Sequence, residues 1–337
     1  MIRIDGSKGE GGGQVLRSAL SLSIATGRAF EIDSIRAGRK RPGLMRQHLT
    51  CVEAAQAICH GRVKGAEIGS TRVTFTPGDL TGGDYAFAIG TAGSTGLVFQ
   101  TVFPALMLAK TPSTLRISGG THNKASPPFE FIRDSYLPTL SAMGVSADYG
   151  LERAGFYPAG GGCVTASIAP LNNAKRIDLV ERADSVVSCI EAQVSNLPGT
   201  IAKREVAALK TALNVPHEAL HTRSVASDGP GNVVMVWTES GRQRIVHTGF
   251  GEHGVTAENV AKRLADQVER FREPRVSVDE HLADQLLLPL ALAGGGRFAM
   301  PTPSGHFLTN VETIGQFLDV PIRHEQIDAH AWQVEVG

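Results

Sequence analysis

The sequence has few aromatic residues, few cysteines and no excess charge of either sign. Aromatic residues make up 6% of the chain, and 33 basic residues balance 33 acidic ones. The chain as a whole therefore does not attract nucleic acid electrostatically, and any contact with a polyanion must be local. The four cysteines (Cys51, Cys59, Cys163 and Cys189) lie far apart and form no CxxC pair, which argues against a disulfide framework and a zinc site.

Long apolar runs are also missing. No stretch approaches the roughly 18 apolar residues of a membrane-spanning helix, and the first residues contain no apolar signal segment. Together with the cysteine usage, this predicts a cytoplasmic protein. Glycine, in contrast, is abundant, with 38 residues in a chain of 337. Tight turns and close backbone approaches are therefore expected.

The order of apolar patterns suggests a repeated βαβαββ unit. The first unit is indicated by a helix over about 13–26, a strand at 30–35, a helix over about 43–59 and strands within 62–76. The same order recurs about 83 residues later. A third copy begins at 176–180, but its helix comes only at 281–296.

This interruption predicts a mixed α+β (α/β) protein. Three βαβαββ units form a large domain, residues 1–182 plus 276–337, and a smaller α/β domain is inserted in the third unit. The inserted domain spans residues 183–275 and is called the insert below. Its own pattern contains strands VVSCIEAQV and NVVMVW, each followed by a helix.

A glycine run, GEGGGQVLR at 9–17, enters the first helix. Such a turn lets backbone N–H groups and the helix dipole face an anion, with Glu10 and Gln14 as metal or hydrogen-bond partners. The run matches neither GxxxxGK[ST] nor GxGxxG. A tight turn without a ligand would explain the glycines equally well.

A basic loop, SIRAGRKRPGLMRQHLT at 34–50, precedes the second helix. Guanidinium groups bind phosphate with two parallel hydrogen bonds, so this loop suits a terminal phosphate. The alternative is a solvated charged surface. The polar Gln47 and His48 at the start of an apolar helix favour a site.

The segment TPSGHFLTN at 302–310 places His306 in a small polar turn after the strand-like RFAM. An imidazole is neutral over much of the physiological pH range and can act as a nucleophile. The chain has 11 histidines in total, and nothing in the pattern alone distinguishes His306 from the rest.

Eight segments in order along nearly the whole chain closely resemble the RNA 3'-terminal phosphate cyclase family. They are DGSKGEGGGQVLRSALSLS, IRAGRKRPGLMRQHLT, GGDYAFAIGTAGSTGLVFQTVFPAL, GGTHNKASPPFEFI, FYPAGGGCV, DGPGN, LADQLLLPLALAGGG and PSGHFLTN. The resemblance implies the same interrupted three-unit fold. It also implies an ATP-dependent ligase that converts an RNA 3'-phosphate to a 2',3'-cyclic phosphodiester, through histidine–AMP and RNA–adenylate intermediates.

The resemblance assigns roles to particular residues. The catalytic nucleophile is His306. The RNA phosphate is bound by Arg17, Arg36, Arg39, Gln47 and His48. ATP or AMP is bound by Gln100, Pro127, Phe131, His281, Leu282, Ala283, Asp284 and Gln285. A divalent metal, Mg²⁺ or Mn²⁺, is bound near Glu10 and Gln100. Both metals prefer hard oxygen ligands.

At one position the chain departs from the family pattern. A tyrosine that stacks on adenine is expected just before LADQ, and this chain has His281. An imidazole offers a smaller face, so stacking is weaker or the base is held differently. The expected partners are ATP and RNA with a 3'-phosphate end, and the expected oligomer is a homodimer, since two-fold pairs predominate.

Two other functions compete with this interpretation. One is a non-catalytic cyclase-like protein that binds RNA or assists ribosome assembly, and such relatives are expected to lack the histidine and part of the arginine set. The other is an enolpyruvyl-transfer enzyme, which would need two globular halves of repeated βαβαββ units. This chain has too few units for the second and retains His306 and the arginines.

Overall fold

The computed structural model describes residues 1–9 and 11–337. Within these residues, three four-stranded sheets share one connectivity. When the strands of each sheet are numbered along the chain, their order across the sheet is 1-2-4-3, and strands 1 and 2 are parallel. The strands of the first sheet are β1 (Ile2–Asp5), β2 (Phe30–Asp33), β3 (Arg62–Lys64) and β4 (Val73–Thr76). Those of the second are β5 (Asp84–Ala88), β6 (Ser113–Gly119), β7 (Ala147–Arg153) and β8 (Gly162–Ile168).

The insert interrupts the third set of strands and contains the fourth sheet. The insert strands are β10 (Ser185–Ser195), β11 (Leu220–Ser224), β12 (Gly231–Ser240) and β13 (Gln243–Phe250). The third sheet consists of β9 (Ile177–Leu179), β14 (Gly296–Met300), β15 (Ile322–Gln326) and β16 (Trp332–Val336). The mixed α+β class is confirmed, whereas the boundaries of the insert stay a prediction.

Helices cover the sheets. They are α1 (Gln14–Thr26), α2 (Arg46–Cys59), α3 (Thr95–Leu106), α4 (Phe129–Phe131), α5 (Leu137–Ser141), α6 (Thr200–Leu213), α7 (Ala257–Arg272), α8 (Glu280–Ala293) and α9 (Gly305–Phe317). α1 packs against α2, α3 and α9, and α9 packs on α8. A continuous apolar core joins the three sheets to these helices, and the insert has a second core between its sheet, α6 and α7.

The second helix of the second unit is broken into three short pieces within residues 129–141. Between α4 and α5 lies a π-helical turn, Ile132–Tyr136, which ends with the N–H of Leu137 bonded to the carbonyl of Ile132. Pro138 follows at the start of α5 and has no N–H to continue the regular ladder. The proline therefore accounts for the interruption.

The sequence prediction for His306 was wrong in one respect. His306 does not lie in an open turn, because it is the second residue of α9, whose N-cap is Ser304. The strands β11, β13, β15 and β16 were not indicated by the sequence patterns. β13 becomes important below, because it packs against the π-helical turn.

Candidate active site

His306 is exposed in the first turn of α9. The Ser304 hydroxyl accepts a hydrogen bond from the N–H of Phe307 at 3.0 Å and so begins the helix. His306 Nδ1 lies 2.7 Å from Gln14 Oε1. Because an amide oxygen only accepts, the ring proton is on Nδ1 and the lone pair is on Nε2. A helix N-terminus also favours a neutral imidazole and attracts anions.

The glycine run lies between α9 and the basic loop. A Cβ on Gly9, which has φ of 61°, would lie 2.2 Å from Thr309 Oγ1 of α9. A Cβ on Gly12 would lie 3.0 Å from Arg39 Nη2, and one on Gly13 would lie 2.5 Å from His48 Nε2. Larger side chains at these positions would displace their neighbours. The glycines therefore allow the candidate nucleophile and the basic loop to approach the start of α1.

The five residues expected to bind RNA phosphate belong to one corner of the molecule, called the phosphate corner. Its members are Arg17, Arg36, Arg39, Gln47 and His48. The Gly13 Cβ position that is close to His48 is also 3.0 Å from Arg17 Nη1. Gln47 Oε1 accepts a hydrogen bond from the N–H of Ser94, at the N-cap of α3, at 2.6 Å. Thus the N-termini of α1, α2 and α3 converge here, and their dipoles add to the arginine charges.

Arg36 also shapes the loop in which it lies. Its Nη1 donates to the carbonyl oxygens of Arg41 at 2.7 Å and Gly43 at 2.8 Å. Arg36 adopts a left-handed backbone with φ of 57°. Burial, together with the neighbouring Arg39 charge, lowers the pKa of Arg36, but a guanidinium remains charged under all ordinary conditions. Arg36 therefore contributes a positive charge to the phosphate corner and also fixes the conformation of the basic loop through these two hydrogen bonds.

His48 is neutral at physiological pH. Burial first, and then the positive charges of Arg17 and Arg36, lower its pKa to about 3. Its Nδ1 accepts a hydrogen bond from the N–H of Met45 at 3.3 Å. The ring proton is consequently on Nε2, the atom closest to Gly13. His48 can donate a hydrogen bond to a phosphate oxygen without adding charge.

A small cavity of about 30 Å³ lies next to this corner. Its lining includes Gln14 and Arg17 together with three residues expected to bind nucleotide, namely Gln100, Asp284 and Gln285. The volume admits a water-sized group but not a nucleoside. The cavity is therefore the inner end of a site, and the bulk of a nucleotide would lie outside it.

Two polar groups in the cavity are held in unusual states. Gln100 is 8% exposed, and neither its amide oxygen nor its amide nitrogen has a hydrogen-bond partner among residues 1–9 and 11–337. Burial raises the pKa of Asp284 to about 7 against the opposing effect of His281. Buried amides normally have partners. Gln100 thus presents to the cavity an amide whose hydrogen-bonding capacity is unused by the described residues.

The remaining nucleotide residues do not line this cavity. Leu282 and Ala283 have fully buried side chains in the apolar core, and the N–H of Leu282 donates to Asp279 Oδ1 at 2.8 Å. Phe131 is also buried, Pro127 packs against Gly96 in α3, and His281 is exposed at the start of α8. These residues surround the neighbouring α3 and α8 termini.

The residues present suit a divalent cation in part. Gln100 offers an unpartnered buried oxygen, the ligand type that Mg²⁺ and Mn²⁺ prefer. The other expected metal ligand, Glu10, lies outside the described residues. In residues 1–9 and 11–337 no group of three or more His, Cys, Asp or Glu side chains forms a metal-binding cluster.

Two polar residues of the site were not identified from the sequence. Ser18 Oγ donates to Asn310 Oδ1 at 2.6 Å, and Asn310 Nδ2 donates to the Asp284 carbonyl oxygen at 2.8 Å. This chain of contacts joins α1, α9 and α8 behind His306. Asn310 stands four residues after His306, on the same face of one helix, and that spacing was the available signal.

The fold and the site define an α+β protein with a cluster of arginines at converging helix N-termini beside an exposed histidine. Residues 8–324 match the model of the family described as RNA 3'-terminal phosphate cyclase, and the chain belongs to this family. It is 48% identical over 324 residues to an RNA 3'-terminal phosphate cyclase of Koribacter versatilis, covering 95% of this chain and 90% of that protein. It is 47% identical over 339 residues to one of Ralstonia nicotianae, covering 100% and 97%.

The similarity to solved structures is weak. An EPSP synthase from Acinetobacter baumannii aligns with 95% of this chain and 62% of its own, at 11% identity and a TM-score of 0.28. Across the described ranges, no helix is both long and apolar enough to cross a membrane.

Proposed function

We propose that this protein uses ATP to convert an RNA 3'-terminal phosphate to a 2',3'-cyclic phosphodiester, with His306 as the nucleophile. The observation that supports this most directly is the 2.7 Å contact between His306 Nδ1 and Gln14 Oε1. It places the lone pair of the ring on Nε2, at the N-terminus of α9 and next to a corner of arginines. A nucleophile and an anion site in one place are what nucleotidyl transfer to a phosphate requires.

In the first step, His306 Nε2 attacks the α-phosphorus of ATP. An N–P bond forms, the bond to the β-phosphate oxygen breaks, and pyrophosphate leaves. Gln14 holds the Nδ1 proton and stabilises the ring as positive charge develops on it. The α9 dipole stabilises the negative charge on the phosphate.

In the second step, an oxygen of the RNA 3'-phosphate attacks the same phosphorus. The P–O bond of an RNA–adenylate forms, and the bond to His306 Nε2 breaks. The phosphate corner would bind the RNA phosphate through Arg17 and Arg39 and through the Nε2–H of His48. A neutral donor at position 48 adds a hydrogen bond without a further positive charge beside Arg17.

In the third step, the neighbouring ribose 2'-hydroxyl attacks the activated 3'-phosphorus. A second ester bond closes the ring, AMP leaves and the hydroxyl proton is released. The reaction is intramolecular, so positioning and charge neutralisation supply most of what is needed. A bound Mg²⁺ or Mn²⁺, held by Gln100 and Glu10, would neutralise phosphate charge.

The test is incubation with ATP labelled at the α-phosphate, followed by denaturation and measurement of label on the protein. The label should be acid-labile and alkali-stable, as expected of a phosphoramidate. His306→Ala should abolish labelling while the protein remains folded, because substitution of an exposed residue costs little stability. His217→Ala, which removes an exposed histidine of the insert, is the matched control and should label normally.

Labelling of His306→Ala at the wild-type rate would overturn the assignment of the nucleophile. A wild-type protein that binds RNA but takes up no label would instead support a non-catalytic, cyclase-like RNA-binding protein.

A further inference from the structure

The insert packs against one continuous stretch of the second unit, residues 124–139, called the braced segment. Five side-chain contacts join them along its length. They are Lys124 Nζ to Glu252 Oε1 at 3.0 Å, Gln193 Nε2 to Glu130 Oε1 at 3.2 Å, Trp237 Nε1 to Asp134 Oδ2 at 2.9 Å, the N–H of Val246 to Ser135 Oγ at 3.1 Å, and Thr139 Oγ1 to Gln243 Oε1 at 2.6 Å. The insert thus holds a segment from a different unit than the one it interrupts.

One of the buried contacts, that between Gln193 and Glu130, belongs to a chain of polar groups. His122 Nε2 lies 2.9 Å from Glu130 Oε2, and His122 Nδ1 lies 2.7 Å from Thr121 Oγ1. The order hydroxyl, imidazole and carboxylate is that of a hydrolase triad. However, these residues are 3%, 1% and 3% exposed, so no substrate reaches the hydroxyl. The arrangement has a structural role.

Glu130 is charged in this environment. Burial raises its pKa, but the neighbouring His122 and its hydrogen bond outweigh burial, so that the pKa is lowered overall. The amide nitrogen of Gln193 donates both to Glu130 and, at 2.8 Å, to Glu191 Oε1. Gln193 therefore bridges a carboxylate of the large domain and one of the insert. Loss of this donor would leave Glu130 Oε1, one oxygen of a buried carboxylate, without its Gln193 hydrogen bond, which is costly.

The braced segment leads directly to the nucleotide side of the site. Pro127 lies three residues before Glu130 and packs against Gly96, at the start of α3. The same helix carries Gln100 into the cavity. Tyr136, at the end of the π-helical turn, also lines that cavity. A shift of the segment would therefore move groups on the nucleotide side. The five members of the phosphate corner lie on α1, the basic loop and α2, and they meet α3 through the Gln47–Ser94 hydrogen bond at its N-cap.

We propose that the insert positions the adenosine side of the nucleotide site, and that Glu130 and Gln193 are the residues through which it acts. This inference rests on the proposed function for the assignment of Pro127 and Phe131 to the nucleotide. Neither Glu130 nor Gln193 contacts the substrate. They are positioning residues that fix the segment between the insert and α3.

The test compares dissociation constants for two ligands, ATP and a short RNA with a 3'-phosphate, measured by equilibrium dialysis. Gln193→Met keeps the length of the side chain and removes the donor. It should weaken ATP binding about tenfold, as expected for loss of a hydrogen bond to a charged group, and change RNA binding less than twofold. Glu130→Gln should weaken ATP binding by a similar factor. The double variant should bind ATP no more weakly than either single variant, because both substitutions act on the same Gln193–Glu130 contact.

Lys124→Met is the matched control. It removes an exposed contact between the same two parts, and exposed ion pairs contribute little, so ATP binding should change less than twofold. Should Gln193→Met be unfolded, Thr139→Val removes the Thr139–Gln243 bond and provides the same test. Unchanged ATP binding, or equal loss of ATP and RNA binding, would overturn the proposal. A wild-type protein that binds ATP but does not label His306 would overturn the proposed function alone.

Discussion

The two sides of the site are constructed differently. The phosphate corner comes from neighbouring stretches of sequence, since the glycine run, the basic loop and the start of α2 all lie within residues 9–50. Its charged groups are arginines whose guanidinium groups do not need a particular protonation state. The proposed adenosine side combines α3, the braced segment and α8, and the insert contacts the braced segment through the Gln193–Glu130 hydrogen bond.

This difference has a physical consequence. The phosphate corner depends on local turns and on helix dipoles, which are set once the first unit folds. The adenosine side depends on long-range contacts and on buried carboxylates, such as Asp284 and Glu130, whose charge depends on what surrounds them. Substitutions on the two sides should therefore affect different half-reactions.

The largest separation is expected for Arg39→Ala. Loss of a guanidinium that binds phosphate costs about 1.5–3 kcal/mol, so transfer of AMP to RNA should fall roughly tenfold to hundredfold. Self-adenylylation should stay within about twofold of wild type, because we assign Arg39 to the RNA phosphate and not to ATP. Arg36→Ala should also reduce transfer of AMP to RNA, because it removes both a positive charge and the hydrogen bonds to the carbonyl oxygens of Arg41 and Gly43. The two half-reactions are measured separately, with labelled ATP and then with preformed enzyme–AMP.

Lys40→Ala is the control for charge alone. Lys40 is exposed in the same loop and is not among the residues assigned to the phosphate. A comparable loss in this variant would mean that the corner acts only through its net positive field. Equal loss of both half-reactions in Arg39→Ala would show that the basic loop serves ATP or the fold.

Sequence patterns and the family resemblance together predicted this corner, because four of its five members lie in the short stretch from Arg36 to His48. They did not indicate that Gln14 would fix the tautomer of His306, or that His48 would be neutral. Both depend on contacts with residues far along the chain or on burial. The role of Gln193 was also hidden, since a glutamine in an apolar strand has no distinctive pattern.

A smaller but sharper effect is expected for Gly13→Ala. The backbone of Gly13 is right-handed, with φ of −85° and ψ of −7°, so alanine causes no backbone strain. Its Cβ would lie 2.5 Å from His48 Nε2 and 3.0 Å from Arg17 Nη1, and these groups must move. RNA transfer should fall about tenfold, the cost of one misplaced hydrogen bond to a charged ligand, and binding of the RNA phosphate should weaken.

Gly38→Ala is the matched control, because no atom lies within 4 Å of a Cβ at that position of the basic loop. It should leave both half-reactions unchanged. If the two variants behave alike, the close approach of the glycine run to His48 has no role in phosphate binding.

The smallest effect is expected on the adenosine side, at His281. Stacking of a base on an aromatic ring is worth about 1–3 kcal/mol, and an imidazole offers less area than a phenol ring. His281→Tyr should therefore lower the apparent KM for ATP in self-adenylylation about twofold to fivefold, and His281→Ala should raise it by a similar factor. RNA transfer from preformed enzyme–AMP should not change. Unchanged ATP kinetics in both variants would place residue 281 outside the base pocket.

The pH dependence of ATP use sharpens this last test. His281 reaches the surface, but the protein packed around its ring still removes part of its hydration and lowers its pKa. The carboxylates of Asp279, Glu280 and Asp284 outweigh this effect and raise the pKa above 6.5. The ring is then protonated below its raised pKa and attracts the ATP phosphates, and this attraction is lost as the pH rises through that value. The apparent KM for ATP should accordingly increase with pH in the wild-type protein.

Burial raises the pKa of Asp279 to about 6 and that of Asp284 to about 7, so the ionisation of these two carboxyl groups contributes to the pH profile of both wild type and His281→Tyr. The apparent KM for ATP is therefore measured for wild type and His281→Tyr between about pH 5.5 and 7.5. The part of the pH dependence that is lost in the variant belongs to the imidazole. Identical pH profiles for the two proteins would exclude a charge effect of His281 on ATP.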